Sequence, residues 1–209
     1  MKTVGALIFP GFELLDVYGP LEMFGLHPDR FDIRMVAETA EPVTSNQGPR
    51  SAVDDIIAEG RPYDIILIPG GRGTRTEIDN PAIKGWITET SKTATLSLGV
   101  CTGAALMARA GILDGKRATT NKAAFQWVAD QGPNVGWVRA ARWVEDGNIF
   151  TASGVSAGMD QALAVIARLL GVETARETAF WAEYEWHEDA GWDPFAAAHG
   201  LIENGEPHD

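Results

Sequence analysis

The chain has 209 residues and a mass of 22.5 kDa, with 17 Lys and Arg against 29 Asp and Glu, a net charge of −12 and a pI near 4.7. So acidic a chain repels a phosphate backbone unless a basic stripe compensates, and the basic residues around Arg139 and Arg142 are scattered, so no nucleic-acid partner is expected. No apolar run approaches the ~20 residues of a membrane span, so no membrane partner is expected either, and a lone cysteine excludes an intramolecular disulfide and a multi-cysteine metal site.

The apolar run at 4–9 follows Met1-Lys2 directly, is too short for a signal-peptide core and lacks a small-residue cleavage site, which points to a cytoplasmic protein. It reads as a buried strand, followed by a loop through Pro10 and Gly11 and a short helix after Gly19-Pro20. Residues 31–37 alternate as a second strand, and 41–55, with its Pro, Gly, Ser and Asn, reads as a hairpin or loop excursion. Ile65-Ile66-Leu67-Ile68, closed by Pro69-Gly70-Gly71, is expected to be a central strand with a sharp ending. Asn80-Pro81 opens a helix to about Ser91. A strand at 93–100 then meets Cys101-Thr102-Gly103, and 104–110 is small, apolar and helical up to Gly111.

Further on, 116–120 reads as a short strand and 122–130 as a helix. Asp146-Gly147 marks a hairpin between 143–145 and 149–152, and 158–170 and 173–184 are helices. Strands alternating with helices imply one domain, 1–209, built on a mostly parallel sheet with helices on both faces. The Trp-rich acidic segment at about 186–209 has no period; it packs across the domain or joins a subunit interface, with its carboxylates read as a solvated face. The seven Trp residues are assigned to core or interface rather than to a substrate box.

Open parallel sheets bind ligands at the carboxyl ends of strands, where the strand order reverses. Gly99-Val100-Cys101-Thr102-Gly103 passes from strand to helix with small residues on both sides, as in a nucleophile elbow. A helix N-terminus favours negative charge by ~0.3–1 kcal/mol, or up to ~2 kcal/mol when partly buried. With ~1.4 kcal/mol per pKa unit, the Cys101 thiol is expected about one unit below its usual value. The histidines are His27, His187, His199 and His208, and position 121 is Asn, so no Cys-His dyad is adjacent in sequence. That weakens a protease or amidase reading, which needs a general acid for the leaving amine.

Asp16 is the other candidate partner. Pro20 favours Tyr18 or Gly19 as helix cap, which leaves Asp16 free of that job. A carboxyl buried near a thiolate has a raised pKa and keeps a proton to donate. Gly70-Gly71 offers backbone N–H groups to an anionic intermediate. Gly154 and Val155, within Ser153-Gly154-Val155-Ser156-Ala157-Gly158, offer the same or simply serve close strand–helix packing. Tyr18, Asn121 and Ser153 flank these turns and are expected to line the pocket.

Six ordered segments together resemble the ThiJ/PfpI superfamily: Leu7-Ile8-Phe9-Pro10, Leu15-Asp16-Val17-Tyr18-Gly19-Pro20, Ile68-Pro69-Gly70-Gly71, Val100-Cys101-Thr102-Gly103, the stretch from Gly111 to Thr120, and Ser153 to Asp160. The resemblance covers 1 to about 185 and implies a flavodoxin-like, class I glutamine amidotransferase-like α/β fold. An aspartate after the first strand with Cys-Thr-Gly at the elbow resembles the isonitrile hydratase branch and the similar sensing domains of AraC-type regulators. Protease-like relatives have His directly after the Cys and Glu in place of Asp16.

The resemblance implies that Cys101 attacks the terminal carbon of an isonitrile to give a thioimidate. Asp16 would act as acid and base, Thr102 would keep the pair in register, and an N-substituted formamide would leave. It implies a small-molecule substrate, no metal or organic cofactor, and a homodimer. Asn121 stands where many members have His, which alters the pocket or the substrate. The alternatives are a non-catalytic or oxidative-stress-sensing protein, with Cys101 as the oxidisable group, or glyoxalase- or deglycase-like action on small dicarbonyls.

Overall fold

Near-continuous aliphatic runs build a seven-stranded sheet in the computed structural model, which describes residues 1–203. In chain order the elements begin β1 (Lys2–Leu7), α1 (Leu14–Gly25), β2 (Phe31–Ala37), β3 (Val43–Thr44), β4 (Arg50–Ser51), β5 (Asp55–Ile56) and β6 (Ile65–Ile68). There follow α2 (Thr74–Glu77), α3 (Pro81–Ser91), β7 (Leu96–Val100), α4 (Gly103–Arg109), β8 (Arg117–Ala118), α5 (Phe125–Ala129) and β9 (Gly136–Trp137). The last are β10 (Trp143–Asp146), β11 (Ile149–Ala152), α6 (Ala157–Leu170), α7 (Val172–Trp181) and α8 (Phe195–Ala198).

The sheet order is β10-β11-β7-β6-β1-β2-β5, parallel throughout except for the antiparallel β10–β11 hairpin. Ile65 of β6 pairs with Val4 of β1 on one side and Leu96 of β7 on the other. All four β6 side chains are fully buried, as a central strand covered on both faces requires. From β1 the chain builds outward to β2 and β5, then returns through β6 to build the other way. The order therefore reverses between β1 and β6.

The excursion at 41–55 contains the expected hairpin, β3 with β4, and Tyr18 of α1 bonds Ser51 of β4 across 2.8 Å. One helix departs from expectation: α1 starts at Leu14, well before Pro20, which lies inside it. Pro20 lacks an N–H for the Asp16 carbonyl, a local cost that burial offsets. Gly19 faces Met159 and Pro20 faces Gly158, so small residues let α1 cross α6 closely. A Cβ on Gly19 would stand 2.9 Å from Met159 Cγ, and one on Gly158 would stand 3.1 Å from Pro20 Cγ.

The C-terminal segment packs across its own chain. Tyr184 Oη and the His187 N–H both donate to Asp160 Oδ1 at 3.0 Å, and the Arg142 N–H donates to Ala190 O at 2.7 Å. Its reading as a solvated face is corrected at Asp193, which is 1% exposed because Lys122 pairs with it. Glu206, His208 and Asp209 lie outside the described residues. No helix among the described residues is long and apolar enough to cross a membrane.

Candidate active site

The strand order reverses where β1 and β6 lie side by side, and the carboxyl ends of β1, β6 and β7 open there on Asp16, Gly70-Gly71 and Cys101. β7 runs straight into the Cys101 turn, whose N–H still bonds Ala152 O of β11 at 3.0 Å. The backbone at Cys101 is then left-handed, with φ of 57°. A non-glycine residue held so costs about 1–3 kcal/mol, so its surroundings must enforce it. Thr120 Oγ1 donates to Cys101 O at 2.7 Å, and Gln161 Nε2 to Gly99 O at 3.1 Å. Glycines leave the room: a Cβ on Gly154 would stand 3.1 Å from Cys101 Sγ, and one on Gly70 would stand 2.8 Å from Cys101 Cβ.

Asp16, the third residue of α1, is completely buried. The Gly70 N–H donates to its Oδ2 at 2.8 Å, while Oδ1 has no hydrogen-bond partner among the described residues. Burial pushes its pKa up to about 8, with the Glu13 charge adding and the Gly70 and Cys101 hydrogen bonds opposing. Asp16 is thus a protonated acid at neutral pH.

The thiol is pushed well above its ordinary range as well, by burial first and then by Asp16, against the Thr102 N–H and hydroxyl that favour the thiolate. This overturns the expected lowering by a helix N-terminus. Cys101 is 7% exposed and α4 begins two residues later, so desolvation outweighs the ~0.3–1 kcal/mol a helix end supplies. Both groups are therefore neutral at pH 7. One proton sits on sulfur and one on the carboxyl.

Thr102 Oγ1 accepts the Gly71 N–H at 3.1 Å and lies 3.1 Å from Thr74 Oγ1, which donates to Gly71 O at 2.7 Å. The expected role of Gly70 and Gly71 as donors to an anion is corrected here, because their N–H groups are spent on Asp16 and Thr102. The N–H groups of Gly154 and Val155, ahead of α6, meet no acceptor among the described residues and remain available.

Beside Gly154 opens a cleft of about 320 Å³, lined by Leu15, Asn121, Lys122, Ala123, Ser153, Val155, Ser156, Phe195 and His199. Asn121 and Ser153 are among its lining residues. Asn121 also accepts the Ala124 N–H at 3.1 Å. Tyr18 does not line it, its hydroxyl being held by Ser51 instead. A larger groove of about 630 Å³, between Arg61, Trp86, Glu89 and Thr93, lies by the amino ends of β6 and β7, away from the thiol. Among the described residues no three His, Cys, Asp or Glu side chains gather as a metal site.

Sequence reasoning missed Thr74, Thr120, Lys122 and Phe195. The threonines stood next to recognised motifs, so their hydroxyls were the available signal. Lys122 and Phe195 gave none, because each acquires its place from a contact far along the chain.

The DJ-1/PfpI family model matches residues 2–168. The isonitrile hydratase of Pseudomonas putida is 34% identical over 182 residues, which make up 87% of this chain and 78% of that protein. A solved ThiJ/PfpI family protein from Pseudomonas syringae superposes with a TM-score of 0.82 at 26% identity, over 98% of this chain and 79% of that one. A DJ-1 superfamily protein from Salmonella typhimurium gives 0.78 at 28% identity, over 89% of this chain and all of the other. With its elbow cysteine one strand from the reversal point of a flavodoxin-like sheet and a family match over most of its length, this chain belongs to the DJ-1/PfpI family.

Proposed function

We propose that the protein hydrates an isonitrile to an N-substituted formamide, with Cys101 as nucleophile and Asp16 as acid and base. One observation carries the reading: a buried carboxyl that holds its proton to about pH 8 lies near the only thiol, both at the carboxyl ends of the sheet with β6 between their strands. The similarity to the Pseudomonas putida isonitrile hydratase supports it.

The chemistry follows from those two protons. An isonitrile carbon is both a proton acceptor and an electrophile. Asp16 gives its proton to that carbon, Cys101 Sγ bonds to the same carbon, and the thiol proton passes to the Asp16 carboxylate. The result is a thioimidate, with Asp16 protonated again and no free thiolate needed at any stage. Water then adds to the thioimidate carbon, yielding a proton to Asp16 as Asp16 protonates nitrogen. The C–S bond breaks, sulfur recovers the hydroxyl proton, and the formamide leaves. The sum is one isonitrile and one water to one formamide. Thr102 keeps sulfur and carboxyl in register, and the Gly154 and Val155 N–H groups offer donors for charge that builds up during turnover.

The oxidation-sensing alternative fits less well. Oxidation follows thiolate character and exposure, and Cys101 has little of either. Formamide release from an aryl and an alkyl isonitrile is the test, with Cys101→Ala and Asp16→Asn beside the wild type. The reading expects turnover in the wild type alone, declining as the pH rises through about 8 because Asp16 loses its proton. Full turnover in Asp16→Asn would remove the acid from the mechanism. Action on small dicarbonyls and none on isonitriles would replace the substrate.

A further inference from the structure

The C-terminal segment supplies part of the cleft bordered by Gly154, which packs against Cys101, and its docking is more than surface contact. Lys122 Nζ lies 3.2 Å from Asp193 Oδ2, both side chains being essentially buried, and donates to Thr119 Oγ1 at 2.7 Å and Ala141 O at 2.9 Å. Asp193 Oδ1 in turn accepts the N–H groups of Phe195 and Ala196 at 2.8 and 3.2 Å, which fixes the start of α8. Lys122 follows directly on the Thr120-Asn121 turn, and Thr120 holds the Cys101 carbonyl. One loop thus grips both the elbow and the segment that forms the opposite wall.

The segment contributes Phe195 and His199 to the lining, and Leu15 of α1 adds a second apolar side chain. Phe195 is 48% exposed and Leu15 39%, and both border the cleft that Gly154 carries up to the Cys101 turn. The charge of Lys122 is spent on Asp193 and on backbone and threonine oxygens, so it offers nothing to an incoming anion.

We propose that Phe195 and Leu15 are specificity-determining residues that receive the substituent on the reacting group, so that this site selects neutral aryl or compact alkyl substrates over charged or strongly polar ones. The assignment to isonitriles rests on the hydration reading, whereas the preference at Cys101 is measurable without it. An aromatic contact of this kind is worth a factor of about five in rate or affinity.

The test compares iodoacetamide with N-phenyl iodoacetamide at alkaline pH, where a growing thiolate fraction offsets the burial of Cys101 and sulfur displaces iodide as the thiol proton leaves. The phenyl-to-parent rate ratio, divided by that of glutathione, is expected near five for the wild type, near one for Phe195→Ala, and between the two for Leu15→Ala, which keeps the aromatic contact. Phe195 is half exposed, so its truncation empties no core position. Asp193→Asn, which loosens α8, is expected to lower the ratio in the same direction. An equal ratio in wild type and Phe195→Ala overturns the assignment. The same proteins are assayed with phenyl and methyl isonitrile. If neither is hydrated while the alkylation ratio still falls, the wall stands and the hydration reading does not. If both are hydrated with a phenyl-to-methyl preference that Phe195→Ala leaves intact, hydration stands and the wall does not.

Discussion

Asp16 carries a signature that folding itself must show. Its carboxyl has a pKa of about 8 in the folded chain against an ordinary 3.8, because burial disfavours the charged form. Between those values the unfolded chain is ionised while the folded chain keeps the proton. Unfolding then releases a proton, and stability fully present below the lower value drains away as pH rises toward the upper one. Asp16→Asn removes this drain, and its amide can still accept the Gly70 N–H. Its melting temperature relative to the wild type is expected to climb between pH 5 and pH 8. The gain is more than ~1 kcal/mol, or at least about 2 °C for a chain of this size. A constant difference across that range, read by calorimetry, would put the Asp16 pKa back near that of a free carboxyl.

At the scale of elements, the Lys122–Asp193 pair ties α8 to the loop after β8, with side chains 2% and 0% exposed. Removing one partner of a buried pair leaves the other charged and desolvated, at a cost of about 3–5 kcal/mol, whereas replacing both with apolar groups is often neutral. Lys122→Met is therefore expected to lower the melting temperature by roughly 10 °C, and Lys122→Met with Asp193→Leu to recover most of it. A single variant as stable as the wild type would mean the pair is solvated. Neither partner was legible as a pair from sequence, since the contact exists only once the C-terminal segment has folded back. The strands were legible for the opposite reason. Ile65-Ile66-Leu67-Ile68 and its turn carry their own signal, because continuous aliphatics demand cover on both faces. The start of α1 was not, because Gly19-Pro20 reads locally as a break. What keeps the helix intact there is the close crossing with Gly158 and Met159 of α6. Likewise the position of Cys101 was legible from its glycines, but its protonation was not. A helix end is visible in sequence and desolvation is not.

For the molecule as a whole, the balance between charge and uncovered apolar surface decides how copies of the chain behave. At −12 per chain, two copies repel one another, more strongly at low ionic strength, where the screening length grows from ~8 Å toward ~30 Å. Against that, the fold leaves large apolar side chains uncovered, with Phe180 and Trp181 at the end of α7 exposed at 73% and 68%. Apolar groups grouped in this way favour association, since each buried Å² contributes about 25 cal/mol before the costs of binding. We expect apolar burial to prevail and the protein to assemble as a homodimer, so that sedimentation equilibrium near 0.15 M salt returns twice the 22.5 kDa chain mass. Because the opposing force is electrostatic, the dimer should loosen as salt is removed and tighten as it is added. A mass of 22.5 kDa across a wide concentration range at that ionic strength would exclude the dimer. A dimer that tightened at low salt would instead mean that paired opposite charges, not apolar surface, hold the two copies together.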